Sequence, residues 1–418
     1  MTNLLHRLAA FSAALALAAP SPAQVQTGLT LDEALRLSLE RQPALTAYSR
    51  TAQAFEEAAV AAGQLPDPRL MVGIQNLPVT GSDAFSLDAD FMTMRYIGVG
   101  REQVRGARRR AEASRLLAQA DVSLAEQQLL ARRIQREVLL GWTAILEAMQ
   151  KQQVLGELIE KLEARFEAAQ ADIPTGQATS ADAVAVQAEI AAARAELEQA
   201  RGAEGAGRAA LGRWIGAAAD QPVSGGLAIC RAPAREQALA FVEQHPQIEM
   251  ARRQERVADR AIDVARAGQQ PNWGWSVMYG NRGGDRSDML TLQLSVDLPI
   301  NRARLQNRRI AEASELAAAS RDRAEDMRRE VVSGFEAALA QSAAAEARYR
   351  TTASETVPAL RAAEQALEAR FAAGGGSLES VIVASERTTR TLLELVEQRA
   401  AVARTSADLL FYVEECAE

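Results

Sequence analysis

Residues 290–300 read LTLQLSVDLPI. In an extended chain Leu290, Leu292, Leu294, Val296 and Leu298 fall on one side, and Thr291, Gln293, Ser295 and Asp297 on the other. A period of two is the signature of a strand with one apolar and one polar face. Its setting makes it informative. The 418 residues are 48% hydrophobic but only 4% aromatic, and Ala and Leu dominate the apolar share alongside Arg and Glu. That is the composition of long packed helices, and a formal net charge of −7 gives no reason to expect nucleic acid.

The N-terminus sets an expected compartment. Arg7 precedes the apolar run LAAFSAALALAA, and SPA at Ser21–Ala23 supplies the small residues of a signal-peptidase site. Residues 1–23 therefore read as a cleaved export signal. No other segment approaches the ~18 to 20 apolar residues of a membrane-spanning helix, so contact with a membrane would have to be made by strands. No Cys follows the cleavage site, and no lipid anchor is expected.

The chain repeats itself. EALRLSLERQP (Glu33–Pro43) returns as EQALAFVEQHP (Glu236–Pro246), and AGQLP (Ala62–Pro66) as AGQQP (Ala267–Pro271). RRAEAS (Arg109–Ser114) returns as RIAEAS (Arg309–Ser314), and LEARF at Leu162–Phe166 recurs at Leu367–Phe371. Four matches in one order mean a unit written twice. The expected divisions are a first repeat over 24–220 with a β-hairpin at 69–99, a linker at 221–235, and a second repeat over 236–418 with a hairpin at 272–300.

Each repeat reads as helix, strand pair, long helix and return helix. The first helix is expected over Leu31–Gly63, the long helices over Arg105–Ala171 and Ala303–Ala373. Val138, Trp142, Ile145, Met149, Leu155, Ile159, Leu162 and Phe166 recur at steps of three and four, a single apolar stripe. About 67 residues at 1.5 Å each give roughly 100 Å, the length of the two shorter helices laid end to end. Four strands leave two open edges and are too few to close a membrane barrel, so several copies must close it together. Three copies give twelve strands, a trimeric barrel continued by an α-helical tube. The expected class is mainly α with a small transmembrane β part.

Little else carries chemistry. His245 reads as a tolerated helix residue, no metal ligand set is spaced as such, and GVGREQ (Gly98–Gln103) reads as a strand-to-helix junction. Arg108, Arg109 and Arg110 read as a solvated face, and Trp273, Trp275 and Tyr279 as a lipid-facing girdle. No catalytic or cofactor-binding residue is indicated. Cys230 in the linker and Cys416 near the end form a candidate disulfide that would tie the tail to the linker.

In the order of these elements, in ARF before each turn, and in GQATSADAVAVQAE and GSLESVIVASE after it, the chain resembles the outer-membrane efflux (TolC-type) channel family. PDPRLMVGIQNLPV (Pro66–Val79) followed by DFMTMRYIGVGREQ (Asp90–Gln103) looks most like its heavy-metal, CusC/CzcC-type branch. The resemblance implies a homotrimer spanning the outer membrane and periplasm, bedded in outer-membrane lipid and docked to a periplasmic adaptor and an inner-membrane pump of the resistance-nodulation-division type. It would conduct substrate, heavy-metal cations in that branch, passively and without being an enzyme. A multidrug or type I protein-secretion channel of the same family is the alternative, and a pore-less exported coiled-coil scaffold a further one. Gate and adaptor contacts would gather at the turns: Arg165, Phe166, Asp172, Gly176 and Asp182 in the first repeat, and Arg370, Phe371, Gly376 and Glu379 in the second.

Overall fold

A computed structural model describes residues 28–40, 42–174, 178–231 and 235–413. The export signal expected at 1–23, Gly176 and Cys416 lie outside the described residues. The first half runs α1 (Leu31–Leu39), α2 (Pro43–Ala62), β1 (Arg69–Gln75), β2 (Met94–Gln103), α3 (Gly106–Asp172) and α4 (Ser180–Ile215). The second half repeats the order as α5 (Arg235–Val242), α6 (Pro246–Ala267), β3 (Trp273–Asn281), β4 (Met289–Val296), α7 (Gln306–Thr351), α8 (Val357–Ala372) and α9 (Leu378–Tyr412). The tandem repeat of helix, hairpin, long helix and return helix is thus present in three dimensions.

Three details differ from the sequence reading. The helix expected over Leu31–Gly63 is two helices, because Pro43 forces Gln42 into an extended conformation (ψ 116°) and a new helix starts at the proline. His245 and Pro246 repeat this break between α5 and α6. The second long helix starts at Gln306 rather than Ala303 and passes through a π turn at Thr352–Thr356. Pro358 has no N–H to offer the Ser354 carbonyl, and a wider turn absorbs the missing bond. Finally, β2 continues through Gln103, so the GVGREQ segment lies within the strand.

The strands form one antiparallel sheet in the order β1-β2-β3-β4. Helices α2, α3, α6 and α7 continue below it side by side in the matching order. Farther down, α4 packs on α3, α3 on α9, and α9 on α7 and α8. Two equivalent cores lie where these levels meet. One joins Leu29, Ala34, Ile134, Val138, Trp142 and Leu211; the other joins Ala238, Val242, Ile248, Val331, Phe335 and Leu409. Trp142 and Phe335 are fully buried there. Each removes the apolar area of a large aromatic from water, ~3 to 5 kcal/mol on truncation to Ala. Met149, placed by its spacing on the buried stripe, is instead 38% exposed. Leu29 also pairs with Val223 in a parallel bridge, its N–H donating to Pro222 O at 2.8 Å, which pins the start of the described chain to the linker.

Candidate functional site

Register makes the sheet a two-faced panel. Leu70 pairs with Val99, Val99 with Val277 and Val277 with Leu292; Val72, Ile97, Tyr279 and Leu290 form the next row. Trp275 pairs with Leu294, and Trp273 with Val296. These side chains share one face, and most are open: Leu70 69%, Val72 69%, Leu292 72%, Leu294 68%. An apolar face of this extent marks a surface built to meet something apolar.

The other face combines small and bulky residues. Met71, Gly98, Met278 and Thr291 form one row, and Arg69, Gly100, Ser276 and Gln293 the next. A Cβ on Gly98 would stand 2.5 Å from Met278 Cγ, so glycine is required for the neighbouring side chain to lie down. With Glu102, Ser295 and Asp297 this face lines an open concavity of about 470 Å³. At the end of the panel away from the helices, Arg286 donates to the carbonyls of Asp88 (3.1 Å), Asp90 (2.9 Å) and Ala89 (3.3 Å), tying the loops of the two hairpins together. Arg95 pairs with Asp88 at 2.8 Å.

Below the panel, each helix break is clamped by a side chain whose partner lies far off in sequence. Gln42 Nε2 donates to Trp214 O at 2.6 Å, at the penultimate residue of α4. His245 holds the equivalent place: Nε2 lies 3.0 Å from Phe411 O, at the penultimate residue of α9, and Nδ1 accepts from the Gln247 N–H at 3.3 Å. Those partners define a neutral imidazole protonated on Nε2. Burial, with Arg132 and Arg133 nearby, pushes its pKa down to about 4, against the pull of the Phe411 carbonyl. His245 is 2% exposed and caps α6, so it is a buried clamp and not merely a tolerated helix residue. The histidine-proline pair was visible in the sequence; its partner 166 residues away was not.

The helices end in two hairpin tips. Thr179 and Asp182 form a capping box at the start of α4: Thr179 N donates to Asp182 Oδ2 at 2.8 Å, and Asp182 N to Thr179 Oγ1 at 3.2 Å. The Thr179 N–H and hydroxyl hold the Asp182 carboxyl below the usual range, so it stays charged. Asp172 ends α3. Phe166 packs against both the Leu162–Val186–Ile190 cluster and the Ala169–Ala178–Ala183 cluster. In the second hairpin Arg370 Nε donates to Gly375 O at 2.9 Å, bracing a turn in which Gly374 takes φ 74°; Gly376 follows in the same turn. Phe371 is 40% exposed, and Glu379 stands in the first turn of α9 with Ser377 as its N-cap. The structure therefore brings Arg165 and Phe166 into packed positions near α8 and α9, and leaves Phe371 and Glu379 open to solvent.

What joins the two hairpins differs from what holds each together. The α3–α4 hairpin closes on an apolar cluster with one ion pair, Arg194–Glu163 at 2.7 Å, whereas three ion pairs cross from α3 to α9 beside the apolar contact of Ile382: Arg136–Asp408 at 2.6 Å, Glu147–Arg404 at 2.6 Å and Lys151–Glu397 at 2.7 Å. Nearer the tip Arg165 lies 4.0 Å from Glu368 on α8. A pocket of about 120 Å³ opens between the hairpins there, lined by Leu162, Arg165, Glu189, Glu386, Thr389 and Arg390. Burial and the like charge of Glu386 raise the Glu189 pKa, opposed by Arg165. Cys230 is 4% exposed in the linker. Among the described residues no group of three or more His, Cys, Asp or Glu could hold a metal ion, and no helix is long and apolar enough to cross a membrane.

Residues 238–413 match the family described as outer membrane efflux protein. Among solved structures, VceC, an outer membrane protein of Vibrio cholerae, superposes with a TM-score of 0.75 at 15% identity, over 93% of this chain and 97% of that one. The CmeC outer membrane channel of Campylobacter jejuni gives 0.76 at 11% identity, over 98% and 93%. CusC, solved in conformations that accompany folding and transmembrane channel formation, gives 0.74 at 14% identity over 91% of each chain. No curated protein matches the chain by sequence.

Proposed function

We propose, for a chain whose residues 238–413 belong to the outer membrane efflux protein family, that three copies form an outer-membrane channel, reaching through the periplasm to a tripartite efflux pump. The observation that carries this is the panel: four strands with an apolar outer face, an inner face of small, polar and methionine side chains and two unpaired edges, β1 and β4, set on a rod whose α3 is 67 residues, roughly 100 Å. An isolated sheet of this kind leaves backbone groups unpaired at β1 and β4 and apolar side chains in water. Edge pairing of β4 with β1 of the next copy cures the first, and lipid cures the second. Twelve strands then enclose the concave faces, and the helices continue as the wall of a tube.

The channel lies in the outer membrane with its hairpin tips in the periplasm. It conducts passively, and an adaptor and an inner-membrane pump are the kind of partner the family works with. The tip is read as the gate. The α3–α4 hairpin is closed mainly by apolar packing, while the seam between hairpins is held largely by ion pairs that are only partly buried and worth little individually. The hairpins can therefore separate without unfolding. Arg165, Phe166, Asp172, Gly176 and Asp182, with Arg370, Phe371, Gly376 and Glu379, are the proposed gate and adaptor contacts. Charges there that face inward in three copies make a ring attractive to cations. A Cys230–Cys416 disulfide would tie the tail to the linker.

Heavy-metal cations are the proposed cargo, on the strength of the strand motif over Pro66–Val79 and Asp90–Gln103. The experiment is tolerance of a deletion strain to zinc, cobalt, cadmium, copper and silver, with a bile salt and a dye as control compounds. Selective metal sensitivity supports the reading and names the ion. Sensitivity to the organic compounds alone overturns the cargo and leaves the channel, which would then be of the multidrug kind.

A further inference from the structure

The two repeats leave the sheet differently. After β2, three of the arginines are taken up by the chain itself, Arg108 and Arg110 staying exposed: Arg101 donates to Pro66 O at 2.8 Å, Arg105 to Pro271 O at 2.7 Å, and Arg109 to the carbonyls of Val104 and Gly63. After β4, the segment 298–309 holds four arginines and no acidic residue. Arg302, Arg304, Arg308 and Arg309 are all exposed, and none of their side chains makes a hydrogen bond or ion pair among the described residues. The same segment exposes large apolar side chains: Leu298 75%, Ile300 88% and Leu305 44%.

Position decides what this mixture is for. Leu298 and Ile300 follow directly on β4, whose outward series is Leu290, Leu292, Leu294 and Val296, and carry exposed apolar side chains from the end of the sheet toward the helices. Trp273 and Trp275 lie on that face at the same end, Trp273 pairing with Val296. From the strands to the helices the order is thus aliphatic, then a tryptophan level at which Arg101 stands opposite Trp275, then exposed aliphatic side chains followed by arginines. That is the sequence of environments from hydrocarbon through interface to phosphate. Long guanidinium stems at such a boundary keep their apolar part in the bilayer and their charge at the headgroups.

We propose that residues 298–309 bind the headgroups of anionic phospholipid in the periplasm-facing leaflet, anchoring each copy at the junction of sheet and helices. The inference rests on the membrane reading of the panel. Each arginine supplies a point of attraction to a lipid phosphate and to net negative headgroup charge, and the exposed aliphatic residues seat the acyl chains beside it. Salt weakens the attraction because the site is open to solvent.

The test uses the full chain, reconstituted into bilayer discs of phosphatidylcholine with one fifth phosphatidylglycerol. Lipid retained on extraction is counted by native mass spectrometry. The expected result is enrichment of phosphatidylglycerol over phosphatidylcholine that falls about fivefold for each arginine removed in Arg302→Gln/Arg304→Gln, and falls with added salt in the unaltered protein. Arg361→Gln, an exposed arginine on α8, should leave it unchanged. Equal retention of both lipids, or enrichment indifferent to the double substitution, overturns the proposal. So does loss of oligomer with unchanged lipid ratio, which would assign the arginines to the acidic edge of a neighbouring copy at Glu56, Glu57 and Asp67. Failure of the protein to enter bilayers of either lipid would sink the membrane reading itself; entry without preference sinks only the anchor.

Discussion

Helix α3 and its counterpart have the same task and different construction. In the first repeat 67 residues run unbroken from Gly106 to Asp172; in the second, the π turn at Thr352–Thr356 interrupts the path before Pro358. The interruption stands about 30 Å from the hairpin tip, counting the 21 residues from Thr352 to Ala372. The break joints differ too, clamped by glutamine in one repeat and histidine in the other. Duplication supplied one scaffold, and departures from symmetry concentrate at the joint, the tip and the exit from the sheet. If the tips are the gate, as proposed, the second hairpin, with its built-in bend, is the half expected to move.

The largest effect is expected on the panel the two repeats share. Leu292→Arg places a charge at 72% exposed apolar surface and should cost ~2 to 4 kcal/mol per copy at mid-bilayer, abolishing heat-stable oligomer on electrophoresis. Survival of that oligomer would remove the lipid face from the account.

Next comes the joint. His245→Ala removes the cap and leaves Phe411 O without its donor; a loss of about 2 to 3 kcal/mol is expected in denaturant unfolding. His245→Gln, the residue that does this work in the first repeat, should recover most of it. The histidine also carries a pH signature. Its folded pKa of about 4 lies below the unfolded value, so the unfolded state takes up the proton first as pH falls. Stability should therefore drop between about pH 6.5 and 4 by about 3 kcal/mol in the parent and stay flatter in His245→Gln.

Straightening the bent helix comes third. Pro358→Ala restores an N–H where the π turn now compensates, and should stabilise by ~1 to 3 kcal/mol while lengthening closed dwell times in single-channel records. Unchanged gating would make the bend a scar without function. The smallest effect belongs to the seam: Asp408→Asn, opposite Arg136, should cost less than ~1 kcal/mol yet raise the open fraction.

Much of this was legible in the sequence because it depends on local period. Alternation in Leu290–Val296 and the return of LEARF specify strands and repeats wherever they occur, and the length of α3 follows from an uninterrupted helical pattern. What was not legible depends on partners distant in the chain. Nothing near Pro43 says that Gln42 will reach Trp214, or near Pro246 that His245 will reach Phe411. The prolines themselves were readable as breaks, and reading through Pro43 lost one. Met149 fits the stripe by spacing but faces outward, because spacing fixes a face of the helix and not what packs on it. At the tip, ARF pointed to the right turns, while the division of labour between Asp182 as a cap and Glu189 in the pocket needed coordinates.

Mass and conductance together test whether three copies make one pore. Full-length protein purified from membranes would be weighed by native mass spectrometry and then added to a planar lipid bilayer. A trimeric channel gives a mass of three copies and discrete conductance steps, abolished by Leu292→Arg. A single copy that leaves the bilayer silent would contradict it, because one four-stranded panel cannot close a pore.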